Sequence, residues 1–164
     1  MKTPIPTIRS YREGDLDAFL AIFNTVVERG DAFVYDAPFS VDEARRYIAS
    51  YAATYVAELG GRVVGGYLLR PNQSGRGSHV ANATYMVSPE VRGHGLGRLL
   101  GEHSLKTAKA MGFSAMQFNA VVSANTGAVA LWRSLGFDIV GTIPKAFRHA
   151  DNRLVDLLVM YRPL

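Results

Sequence analysis

The chain has no cysteine. Disulfide frameworks, thiolate metal sites and cysteine nucleophiles are therefore excluded, and a cytoplasmic setting is the expectation. It also lacks an apolar run near the roughly 20 residues of a membrane span. The N-terminal stretch around Pro4 and Pro6 carries no hydrophobic signal core, so neither secretion nor a membrane partner is expected. The 18 basic residues, set against 14 acidic ones for a net charge of +4, are dispersed rather than blocked. Such a balance suits a small polyanion as well as a nucleic acid. Arg92 and Arg98 are too few for a duplex footprint, and no nucleic-acid partner is expected. His79, His94, His103 and His149 lack ligand spacing, so no metal is expected either. The length of 164 residues with 48% hydrophobic content suits one domain, residues 1–164, with one substantial core.

What the chain does have is a run of hydrophobic periods that change from two to helical and back. A short strand at Thr7–Ser10 precedes a helix from Leu16 to about Glu28, with Asp15 as its N-cap and Gly30 as its stop. An aromatic, irregular stretch holding Phe33, Tyr35 and Phe39 follows. Ser40-Val41-Asp42-Glu43 is a capping box, so a second helix runs from there to about Tyr51. Strands at Thr54–Leu59 and Arg62–Leu69 are joined by Gly60-Gly61, a hairpin signal. A further strand at Val80–Val87 enters a glycine-rich turn and a helix from Leu96 to Met111. A strand at Ala115–Val122 comes next, then a helix capped by Asn125 and closed by Gly136. Strands at Phe137–Thr142 and Leu154–Tyr161 end the chain. The class is α/β with a mixed sheet.

The glycine turn is Arg92-Gly93-His94-Gly95-Leu96-Gly97-Arg98. Glycines between a strand and a helix leave backbone N–H groups uncovered, and the positive end of the helix dipole adds to them. The turn therefore reads as an anion cradle. A P-loop needs Gly-Lys-Ser/Thr, which is absent. A dinucleotide fingerprint needs a third glycine where Arg98 stands, and an acidic residue about twenty positions on, where Phe118 and Asn119 lie.

The pattern that does match is R-x-x-G-x-G, carried by Arg92, Gly95 and Gly97 directly after a strand. Together with Asn125-x-x-Ala128-x-x-Leu131-Trp132-x-x-x-Gly136-Phe137, it makes the chain resemble the GCN5-related N-acetyltransferase (GNAT) family. The resemblance covers most of the chain. It implies the GNAT fold: a mixed, mostly antiparallel sheet flanked by helices and splayed between the fourth and fifth strands. It implies acetyl-CoA as co-substrate, with Arg92 and the N–H groups of Gly93, His94, Gly95, Leu96, Gly97 and Arg98 on its pyrophosphate. Val87 would bind the pantetheine arm through its main chain, and Asn125 would touch the cofactor, although Asn125 reads equally well as a plain N-cap. A homodimer is implied too.

In this family the amine attacks the thioester directly in a ternary complex, so a group or water chain must take its proton. Many relatives place a tyrosine at the position of Trp132 to protonate the leaving thiolate. An indole N–H is no such acid; Tyr85 and Tyr161 are alternatives, with core packing as the competing role for each. Ser78–Ala83, Phe118-Asn119, Leu131-Trp132 and Val140–Lys145 are similar to fungal acetyltransferases acting on proline analogues such as azetidine-2-carboxylate. That resemblance implies catalytic and substrate-binding roles for Asn82 and Asn119. The N-terminal half is similar to phosphinothricin-type acetyltransferases, which would make Phe33, Tyr35 and Phe39 the acceptor wall. The expected activity is acetylation of a small amine, an amino acid or toxic analogue. A non-catalytic acyl-CoA sensor and a protein N-acetyltransferase are the alternatives.

Overall fold

The structure, a computed structural model, describes residues 5–164. Seven strands form one sheet: β1 (Thr7–Ser10), β2 (Ala53–Leu59), β3 (Arg62–Pro71), β4 (Val80–Val87), β5 (Ala115–Val122), β6 (Asp138–Arg148) and β7 (Leu154–Pro163). The spatial order is β1-β2-β3-β4-β5-β7-β6, and only the β4–β5 pair is parallel. Helices α1 (Leu16–Arg29) and α2 (Val41–Ala49) cover one face; α3 (Leu96–Ala110) and α4 (Thr126–Ser134) cover the other. None of the helices among the described residues is long and apolar enough to cross a membrane.

Because both faces are covered, β3 is buried continuously from Val64 to Leu69. Its alternate side chains feed two cores. Leu68 joins Phe19, Phe23 and Val27 of α1, whereas Tyr67 and Leu69 join Leu100 and Leu105 of α3. Gly60 (φ 57°) and Gly61 (φ 78°) make the β2–β3 turn, a left-handed pair that matches the twist of the strands. The capping box of α2 forms as expected: Glu43 N–H donates to Ser40 Oγ at 3.3 Å, and Ser40 N–H donates to Glu43 Oε2 at 2.7 Å.

Three local expectations are corrected. Asp15 precedes α1 but makes no side-chain cap; its carboxylate takes two bonds from the Arg9 guanidinium, at 2.8 and 2.9 Å, because a partly buried ion pair is a stronger claim on it. β6 does not stop at Thr142 but runs to Arg148, interrupted by a register shift between Ile143 and Phe147, with Lys145 in the left-handed region (φ 54°). That bulge broke the alternation by which the strand was read. Met111 lies just beyond α3 and is 44% exposed rather than part of the buried stripe.

Under α3, the Tyr67 hydroxyl, His103 Nδ1 and the Thr107 hydroxyl meet at 2.8, 3.1 and 3.3 Å. Burial lowers the His103 pKa from its ordinary value of 6.5, and Lys106 adds to the effect. The folded state therefore binds this proton less readily than the unfolded one, and stability is lost as pH falls through the folded value. Chemical denaturation between about pH 7 and 5 should show a declining free energy of unfolding, with a slope that His103→Gln reduces.

Candidate functional site

The site is built on a fork in the sheet. β4 and β5 pair only at Val80↔Ala115 and Ala81↔Met116, then diverge. Ser88 N–H bonds to Val64 O and Asn72 N–H to Val80 O, both at 2.8 Å, which sets the phase of the β3–β4 ladder. Even-numbered residues of β4 direct their main-chain groups to β3. The odd ones, Ala83, Tyr85 and Val87, turn theirs toward the fork, where β5 no longer pairs with them. An extended ligand laid in the fork would find the free edge of a strand.

At the open end of β4, a one-turn 3-10 segment at Pro89–Val91 leads into the glycine turn. Gly93 (φ 77°) and Gly95 (φ 79°) sit in the left-handed region, with no atom near the place where a Cβ would stand. The first backbone bond leaving α3 runs from Leu99 N–H to Gly95 O at 3.1 Å, so the N–H groups before it have no helical acceptor. The His94 ring braces the turn, with Nδ1 2.8 Å from Arg92 O, instead of entering the cradle. Arg92 is exposed beside it. These residues fit a phosphate group: the N–H groups ahead of Leu99 have no helical acceptor, Gly93 and Gly95 put no side chain over the turn, and the dipole has the right sign.

A cavity of about 290 Å³ runs through the fork, from the α1–α2 side to α4. Its walls come from the stretch after α1, from α2, from β3–β5 and from the start of α4. Asn82 lies immediately past the last parallel pair, and its Nδ2 donates to Gln117 O at 3.0 Å across the fork. Its amide oxygen has no protein partner among the described residues. Asn119 also lines the cavity but is exposed and bonded at both ends of its amide: Nδ2 donates to Asn72 Oδ1 at 2.7 Å, and Oδ1 accepts from Gln117 Nε2 at 3.0 Å. Asn125 is the N-cap of α4 and also borders the cavity. Its Oδ1 caps the helix through Ala128 N–H at 3.3 Å.

Phe33 and Tyr35 form part of the wall. Phe39 does not; it stacks behind them on Phe23 and Tyr35, at 4.8 and 4.9 Å between ring centres, and its backbone is held by Asn24. His79 is exposed and lies outside the lining. Trp132 is 8% exposed and fills the base of the fork, 4.7 Å from both Tyr85 and Phe118. Tyr85 borders the cavity, yet its hydroxyl turns away, 2.6 Å from Ser104 Oγ, and burial raises its pKa. Tyr161 is not in the lining. Neither tyrosine offers a proton to the cavity.

Four polar wall residues carry no signal that the sequence analysis used: Tyr47, Tyr51, Arg70 and Thr84. The Tyr47 and Tyr51 hydroxyls are 2.8 Å apart, and Tyr51 reaches Thr84 Oγ1 at 3.3 Å. Burial, with Tyr51 adding, pushes the Tyr47 pKa up, so it stays protonated. The spacing of Tyr47 and Tyr51, one helical turn apart, is the signal that would have revealed them.

Residues 19–137 match the Acetyltransferase (GNAT) family. A GCN5-related N-acetyltransferase from Kribbella flavida superposes with a TM-score of 0.92 at 40% identity, over 97% of this chain and 98% of that one. The L-methionine sulfoximine/L-methionine sulfone acetyltransferase of Pseudomonas paraeruginosa is 29% identical over 162 residues, 94% of this chain and 92% of that protein. A phosphinothricin acetyltransferase from Sinorhizobium meliloti, solved in complex with acetyl-CoA, superposes with a TM-score of 0.88 at 28% identity, over 97% and 88% of the two chains. With the forked sheet and the glycine cradle in place, the protein belongs to the GNAT family of N-acetyltransferases and draws its acetyl group from acetyl-CoA.

Proposed function

We propose that the protein transfers the acetyl group to the amine of a small acceptor, an amino acid or an amino-acid analogue, by direct attack in a ternary complex. The observation that carries this reading is one small, aromatic-walled cavity that extends into the fork, so that the main-chain groups β5 leaves free and the aromatic wall face a common space. A volume of about 290 Å³ suits a compact metabolite rather than a peptide chain. The relatives that acetylate methionine sulfoximine and phosphinothricin favour the same acceptor class.

Bound acetyl-CoA supplies an activated thioester whose acetyl carbon accepts the amine and whose thiolate leaves. Arg92 and the N–H groups from Gly93 to Arg98 hold its pyrophosphate. Ala83, Tyr85 and Val87 offer main-chain partners to its amide-bearing arm, and a main-chain N–H at this edge donates to the acetyl oxygen. Asn82, with its amide oxygen unpaired toward the cavity, orients an acceptor N–H; Asn119, on the far prong, closes the other side. Phe33 and Tyr35 wall the acceptor off from water. No carboxylate or imidazole faces the cavity, so the amine proton leaves through water or the Tyr51 and Thr84 hydroxyls.

The absence of cysteine makes the test direct, because a thiol reagent added to the reaction reads only released coenzyme A. Calorimetry should give one acetyl-CoA site per chain, and Arg92→Ala should weaken it roughly tenfold, the loss of one charge-assisted contact. No heat at millimolar acetyl-CoA would sink the proposal. Trp132, in the place where relatives carry a tyrosine, supports one rival. Tight cofactor binding without thiol release across a broad amine panel would identify a module that holds acyl-CoA without turning it over.

A further inference from the structure

Among the described residues the cavity wall contains one side chain that is charged at neutral pH, and it is Arg70. No aspartate, glutamate, lysine or histidine among them shares the lining. Arg70 also takes part in none of the ion pairs among the described residues. A guanidinium left unpaired beside a partly closed, aromatic-walled space is a site for an anion. Its planar fork matches a carboxylate with two parallel hydrogen bonds.

Arg70 is an exposed residue, and two features place it at this wall. The guanidinium carbon lies 4.6 Å from the centre of the Tyr51 ring, a cation–π platform. That ring is itself held through its hydroxyl by Tyr47 and Thr84. In the β3–β4 ladder Arg70 is directly opposite Asn82, so both side chains stand on the same face of the sheet. A group bound by Arg70 therefore lies beside Asn82 and next to the fork.

We propose that Arg70 anchors the carboxylate of the acceptor and thereby selects amines that carry an α-carboxylate. This rests on the transfer reading given above. The α-amino and α-carboxyl groups of an amino acid are separated by one carbon. A carboxylate on Arg70 thus puts the amine within the short span between Arg70 and Asn82, at the mouth of the fork. The charge logic runs the same way. A simple ammonium entering this space meets an uncompensated cation and is repelled. In an amino acid the carboxylate cancels that charge, and once paired with Arg70 it no longer favours the protonated amine, so the neutral nucleophile forms more easily.

The test compares each acid with its decarboxylated amine: azetidine-2-carboxylate with azetidine, and L-methionine sulfone with 3-(methylsulfonyl)propylamine. Thiol release gives kcat/KM for each, and calorimetry on the protein saturated with coenzyme A gives acceptor affinity without turnover. The wild type should prefer the acid. In Arg70→Gln the ratio of acid to amine should fall roughly tenfold or more, mainly through KM, and Arg70→Lys should restore part of it. An unchanged ratio in Arg70→Gln, or a wild type that binds acid and amine alike, overturns the role of Arg70. Failure of every acceptor to release thiol overturns the transfer reading instead, and the calorimetric comparison of wild type with Arg70→Gln still decides the anchor.

Discussion

Gly66→Ala should lower the midpoint of thermal unfolding by roughly 6–12 °C, the equivalent of about 3 kcal/mol. Gly66 sits in the middle of β3, paired with Val56 on one side and Met86 on the other, at the centre of a sheet covered on both faces. A Cβ there would press on the main-chain carbonyl oxygen of Tyr55, closer than real Cβ contacts come, and on the Cα of Val56. Both obstacles are backbone. Neither can rotate away, so β2 and β3 must separate or the ladder must bend. Gly65→Ala meets another main-chain carbonyl oxygen, that of Met86, at 2.8 Å and Leu96 at 3.2 Å; it should also destabilise, but by less, because the backbone overlap is smaller and the leucine can shift. Gly127→Ala is the control. It lies in α4 with nothing within 4 Å of its Cβ position, and alanine there should leave the midpoint unchanged or raise it slightly. A Gly66→Ala protein as stable as the wild type would show that β2 and β3 are not packed as described.

The Gly65-Gly66 pair illustrates what the sequence could and could not carry. Within the strand Arg62–Leu69 the two glycines cost β propensity and offered no compensating signal; their reason is a close approach of three strands, visible only once the register is known. Elements whose cause is local were legible. The stripe of Leu16, Phe19, Leu20 and Phe23 gave α1, the Ser40–Glu43 box gave α2, and the positive-φ glycines at 60 and 61 gave the hairpin. The cradle was legible for the same reason, since its glycines, its strand and its helix are contiguous.

The cavity was not, because it is assembled from six elements: the stretch after α1, α2, β3, β4, β5 and α4. Phe33, Tyr35 and Phe39 stood out together by their aromatic density; Phe33 and Tyr35 line the cavity, whereas the Phe39 ring packs on the α1 core. Arg70 reads in sequence as an ordinary charge ending an apolar strand. Its meaning depends on being opposite Asn82, and that depends on the length of the loop from Asn72 to His79. Likewise the asparagines stood out as amides in apolar strands, but only the coordinates distinguish them. Asn82 bridges the fork with its amide oxygen free, whereas Asn119 is bonded at both ends, to Asn72 and Gln117.

That difference sets the second large effect. Asn82→Ala should reduce kcat/KM for the acceptor about a hundredfold, while acetyl-CoA affinity changes by less than about threefold. Two losses combine. The side-chain oxygen to which we assign the acceptor N–H disappears, and the Nδ2 bond to Gln117 O, which bridges the prongs at the point where the ladder ends, disappears with it. The second loss alone would cost stability, roughly 1 kcal/mol and a few degrees in the unfolding midpoint, so a hundredfold effect in a folded protein points to the first. Asn119→Ala removes no free group and should act mainly through the prong geometry, with a smaller reduction in rate. Both asparagines bond Gln117, one through its main-chain oxygen and one through its side chain, so the two substitutions should be non-additive. A folded double variant Asn82→Ala/Asn119→Ala with wild-type kcat/KM would reject both roles. Additive losses would mean that the two prongs act on the acceptor independently. Sub-additive losses, with the double variant no slower than Asn82→Ala, would mean that the fork works as one unit whose setting is controlled at Gln117.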